Sequence, residues 1–102
     1  MTNRTLAQIE RRIEKIKSLL NGIGEMRPGS LTQQFKDREA QTGPYYQLSY
    51  TWRGKSSSRF LRAEQVETMR EKVANYKRLR ELVQEWVELA VALERAEREQ
   101  AK

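Results

Sequence analysis

Apolar residues in the first part of the chain fall at Leu6, Ile9, Ile13, Ile16, Leu20 and Ile23. Spacings of three and four in alternation make a narrow heptad stripe, which predicts an amphipathic helix over residues 4–21. Thr5 followed by Gln8 fits a capping box, with Thr2 and Asn3 as competing caps. Asn21-Gly22 followed by Ile23 fits a left-handed helix stop. Residues 22–44 then hold four of the five glycines and both prolines, and read as a connector. Within it, Leu31 and Phe35 stand at i, i+4, which predicts one or two helical turns between Leu31 and Ala40.

From Tyr45 the period changes to two. Tyr46, Leu48, Tyr50 and Trp52 share one side, and Gln47, Ser49, Thr51 and Arg53 the other. Gly54 marks a turn, so residues 45–62 predict a β-hairpin. A three-residue loop of Arg53, Gly54 and Lys55 places Trp52 opposite Ser56 and Leu48 opposite Phe60, which gathers the aromatic residues on one face. That face is expected to be buried, because a lone two-stranded hairpin is marginal in water. The rest, 63–100, reads as one long helix. Val66, Met69, Val73 and Tyr76 keep a heptad, the phase slips by three, and Leu79, Leu82, Trp86, Leu89 and Leu93 keep it again. Val83, Val87 and Ala90 widen the stripe.

The predicted fold is a single α+β domain, mostly helical: an antiparallel pair of a short and a long helix with the hairpin between them. A helix of some thirty-odd residues spans about 50 Å. The first helix spans about half of that, so an oligomer is expected along Leu79, Leu82, Trp86, Leu89 and Leu93.

Charge sharpens the picture. Twenty Lys and Arg against fourteen Asp and Glu give +6. Residues 63–102 carry eight basic and nine acidic side chains, so the excess lies before them. From Pro44 to Arg62 there are four basic residues and no acid. Such a stretch attracts polyanions. Gln47, Ser49, Thr51, Arg53, Lys55, Ser57 and Arg59 would form a polar, basic ribbon of the kind that enters a nucleic-acid groove. Arg62, Lys77 and Arg78 would neutralise phosphates. The bland alternative is a solvated face whose charges discourage edge pairing.

The chain has no cysteine and no histidine, so it offers no thiolate nucleophile, no Cys/His zinc site and no imidazole base. Asp37 and Glu39 alone supply carboxylates between Met26 and Glu64; two can in principle do acid/base work or hold Mg²⁺, but nothing else supplies a third ligand or an obvious pocket. A non-enzymatic protein without cofactor or metal is expected. No apolar run approaches a membrane span or a signal-peptide core, which predicts a soluble, cytoplasmic chain. A membrane-surface role is disfavoured by the near-neutral long helix.

The motifs "MRPGSL", "GPYYQLSYTWRGKSSSRFL" and "NYKRLRELVQEWVELAV" resemble a family of small bacterial and archaeal proteins of unassigned function, often described as transposase-associated. The likeness runs from Met26 to Val91. Many members carry a cysteine cluster between the GSL and GPYY motifs; here that stretch is "TQQFKDREAQT", so no metal site carries over. The resemblance implies a link to mobile DNA, a preference for DNA over RNA, and a larger mobile-element protein as a partner. The competing reading is a coiled-coil adaptor that binds protein alone.

Overall fold

The computed structural model describes residues 5–40 and 42–101. The elements are α1 (Leu6–Asn21), β1 (Ser30–Asp37), β2 (Thr42–Trp52), β3 (Lys55–Leu61), a 3-10 turn (Ala63–Gln65) and α2 (Val66–Gln100). The expected N-terminal helix and long C-terminal helix are present, with a three-stranded antiparallel sheet between them in the order β1-β2-β3. The fold is α+β and mostly helical.

The cap at Thr5 closes as the spacing predicts. Thr5 Oγ1 accepts from the Gln8 amide at 3.2 Å, and Gln8 Oε1 accepts from the Thr5 amide at 2.9 Å. Thr2 and Asn3 lie outside the described residues. The left-handed stop does not form. Gly22 has φ −89°, and its amide donates to the Leu19 carbonyl at 3.1 Å, so the last turn tightens instead.

Residues 30–37 are a strand and not helical turns. The i, i+4 pair Leu31 and Phe35 is the cause of the ambiguity, since a separation of four returns to one side in either period. Pairing decides it: Leu31 stands opposite Leu48, and Phe35 opposite Pro44. Pro44 is tolerated because β3 reaches only as far as Tyr46, where Leu61 is its partner. At the start of β1, Gly29 has φ +140°, and a Cβ there would lie 2.9 Å from the Ser49 carbonyl oxygen, so only glycine fits.

The hairpin register differs from the expected one by a residue. Trp52 faces Lys55 across a two-residue turn, with φ +50° at Arg53 and +79° at Gly54. Positive φ at both central residues is the type I′ turn, whose twist matches that of the flanking strands. Leu48 therefore faces Arg59, Gln47 faces Phe60, and Tyr46 faces Leu61. Leu61, not Phe60, is the residue of β3 that is buried.

The chain forms two compact units. One comprises residues 24–77. Its core is Leu48, Leu61 and Val66, with Leu31, Tyr46, Met69 and Val73 packed against them. Its two ends are clasped. The Arg27 amide donates to the Lys72 carbonyl at 3.0 Å, Asn75 Nδ2 donates to the Glu25 carbonyl at 2.8 Å, and Lys72 pairs with the Glu25 carboxylate at 3.0 Å.

The other unit comprises residues 1–23 and 78–102. Ile9, Ile13 and Ile16 of α1 bury against Leu82 and Leu89 of α2, with Trp86 and Leu93 partly buried beside them. Arg12 holds Glu85 through two hydrogen bonds of 2.6 and 2.8 Å. The phase slip near Tyr76 thus falls where α2 passes from one unit to the other. The first heptads serve the sheet and the later ones serve α1.

Candidate nucleic-acid interface

Residues paired across a sheet project to the same side. The pairing places Leu31, Tyr46, Leu48, Tyr50, Trp52, Lys55, Ser57, Arg59 and Leu61 on the side that packs on Val66. The other side carries Thr32, Tyr45, Gln47, Ser49, Thr51, Ser56, Ser58 and Phe60. The expected ribbon is therefore divided. Gln47, Ser49 and Thr51 share the outer side, whereas Lys55 and Arg59 belong to the helix side and Arg53 to the turn. A shift of one residue in β3 is enough to move its whole set of side chains across.

On the helix side, burial ends along the strand. Leu48 is fully buried and Tyr50 is partly so, while Trp52 is 60% exposed. Past the helix, the sheet ends in a cluster of cations and aromatic rings. The Arg27 guanidinium lies 3.9 Å from the centre of the Tyr50 ring, and that of Arg53 lies 5.5 Å from the Trp52 ring. Hydrogen bonds from Arg27 and then Ser57 hold the Tyr50 hydroxyl below its ordinary pKa, and the charges of Arg27 and Arg59 add to the effect. The geometry thus brings Arg53, Lys55 and Arg59 together with Arg27. The local sequence around Arg27 carries no sign of this role. Its place depends on the clasp to Lys72 and on the bend at Gly29.

The outer side is polar with one apolar exception. Phe60 is 67% exposed, and its only ring contact among the described residues is the edge of Tyr45 at 5.3 Å. Tyr45 donates to Gln34 Oε1 at 2.8 Å, and Gln34 donates to Gln47 Oε1 at 2.9 Å, so these amides are fixed in orientation. Thr51 and Ser56 share a hydrogen bond of 2.9 Å. The expected burial of all the aromatic residues on one face holds for neither Trp52 nor Phe60.

Arg62 is exposed before the 3-10 turn, where its amide donates to Gln65 Oε1 at 3.3 Å. Lys77 and Arg78 are exposed on α2, and among the described residues neither is in an ion pair. They fall in different units. Leu82, Trp86, Leu89 and Leu93, expected to meet another chain, are instead taken up by α1, because α1 supplies an isoleucine row of matching length. Leu79 is half-buried.

Asp37 serves the backbone around it. Its Oδ1 accepts from the Glu39 and Ala40 amides at 3.1 Å and closes the β1–β2 turn. Among the described residues no three carboxylates gather where they could hold a metal ion. No helix among them is long and apolar enough to cross a membrane.

No curated protein and no solved structure matches the chain. The family model of a domain of unknown function, DUF6788, matches residues 6–71, which span α1, the whole sheet and the first turns of α2. That is well over half of the sequence, and the chain belongs to the DUF6788 family.

Proposed function

We propose that the protein is a non-enzymatic nucleic-acid-binding accessory protein, with the free end of its sheet as the contact surface. One observation carries this reading. One largely exposed aromatic ring, Trp52, shares the helix side and the turn with Arg53, Lys55, Arg59 and the Arg27–Tyr50 contact, a second ring, Phe60, is exposed on the outer side, and residues 44–62 include no carboxylate. Cations attract the phosphate backbone, and aromatic faces stack on bases. Gln47, Ser49 and Thr51 on the outer side supply hydrogen-bonding groups for base edges. Arg62 and Lys77, in the same unit as the sheet, add phosphate contacts. The resemblance to transposase-associated proteins makes DNA the first ligand to test, ahead of RNA, and a mobile element the setting.

The test is fluorescence anisotropy with labelled duplex DNA, single-stranded DNA and single-stranded RNA across a salt series. Each phosphate contact contributes a slope of about 0.9 in log affinity against log salt for duplex, and about 0.7 for single strands. Arg53→Glu with Arg59→Glu is expected to abolish binding while thermal unfolding stays as in the parent. Equal binding by that variant would remove the sheet end from consideration, and no binding at low salt would remove the reading itself.

A second reading, a coiled-coil adaptor, is favoured by a different observation: α2 leaves Val83, Val87 and Val91 exposed.

A further inference from the structure

Val83, Val87 and Val91 are 43%, 58% and 56% exposed. Each is four positions from the next, so they form one stripe along α2. At 3.6 residues per turn, Val87 lies roughly 140–160° around the helix from Leu82 and Leu89, which meet α1. The stripe is therefore a second apolar face and not the rim of the first. Ala90 beside it is exposed as well.

The charges that continue this face are arranged symmetrically about Val87. Arg80 comes two turns before it and Glu94 two turns after it, both within about 20° of its direction. We infer that α2 pairs antiparallel with α2 of a second copy of this chain, about a two-fold axis at Val87. That register sets Val87 against Val87, brings Val83 level with Val91, and puts Arg80 of each copy against Glu94 of the other. A parallel pair would set Arg80 against Arg80 and Glu94 against Glu94, which is repulsive at both ends. Glu94 also pairs with Arg98 of its own helix at 2.8 Å, an exposed contact of the weak kind that tolerates sharing. A two-fold contact is self-complementary, and this face is so in both its apolar and its charged parts. The inference is independent of nucleic-acid binding.

Because the chain has no cysteine, single cysteines report the register directly. Val87→Cys protein, oxidised, is expected to form a covalent dimer in high yield. Val83→Cys alone is expected to remain uncrosslinked, its copies being about 12 Å apart along the axis. Mixed with Val91→Cys protein, it is expected to crosslink. Sedimentation of the parent is expected to show a concentration-dependent dimer. Glu94→Arg weakens that dimer, and adding Arg80→Glu restores it. Efficient crosslinking of Val83→Cys to itself would overturn the antiparallel register. A parent that stays monomeric at every concentration, with no Val87→Cys crosslink, would overturn the pairing altogether.

Discussion

The guanidinium carbon of Arg27 sits 3.9 Å from the centre of the Tyr50 ring, and Arg27 is the main cause that holds the Tyr50 hydroxyl below its ordinary pKa. One cation thus lies over the face of the ring. The Tyr50 signal in an alkaline titration followed by NMR is expected to fall below the ordinary tyrosine value of about 10. Arg27→Met is expected to move it back up. The sign of the linkage follows from the depressed folded value. The contribution to stability is full above the unfolded pKa and is lost as pH falls through the folded one, so Tyr50 ionisation adds none at neutral pH.

Arg53 occupies a left-handed position, φ +50°, where asparagine or glycine is the ordinary choice. A side chain with a Cβ costs about 1–2 kcal/mol there, less for asparagine. Arg53→Asn is expected to raise the unfolding midpoint and at the same time weaken nucleic-acid binding. Paired melting and anisotropy measurements check the two opposed signs. A variant that gained neither stability nor lost affinity would leave the strained arginine without a purpose.

Phe60 and Trp52 are exposed, so removing either leaves stability within about 0.5 kcal/mol. If a base stacks on Phe60, Phe60→Ala lowers affinity by roughly 5- to 150-fold, the equivalent of about 1–3 kcal/mol. Tryptophan fluorescence gives a second readout. Trp52→Phe is expected to abolish quenching by single-stranded DNA, and Trp86→Phe to preserve it.

The two cores share no residue. Ile16 and Leu48 are the most deeply buried side chains of their respective cores, so Ile16→Ala and Leu48→Ala are each expected to cost about 2–5 kcal/mol. Hydrogen exchange is expected to rise first along α1 in the former and along β2 in the latter.

Both helices were legible in the sequence because Ile9, Ile13 and Ile16, and later Leu82 and Leu89, repeat with an unmistakable period. Strand β1 was not, since Leu31 and Phe35 satisfy the helical and the extended period alike. The hairpin itself was evident from Tyr46, Leu48, Tyr50 and Trp52. Its register was not, because maximising buried aromatic surface favoured Phe60 over Leu61, while the I′ turn at Arg53-Gly54 imposed the opposite parity. Arg27 joined the candidate site through a backbone bond to Lys72, a long-range contact that periodicity does not carry.

The clasp between Glu25 and Asn75 has a kinetic consequence. Arg12 and Glu85 are 73 residues apart along the chain, so pairing α1 with α2 from an open coil means closing a long loop. The sheet needs only short hairpin closures, and such contacts form early. Once Glu25 and Asn75 are joined, 50 of those 73 residues are taken out of the loop and 23 remain, 13 before the clasp and 10 after it. Each halving of a loop recovers about 0.6 kcal/mol, so this shortening, between one and two halvings, recovers about 1 kcal/mol. The sheet is therefore expected to assemble first, its closure easing the approach of the distant isoleucine and leucine rows. Asn75→Ala is then expected to slow formation of the helical pair, even though Asn75 touches none of it.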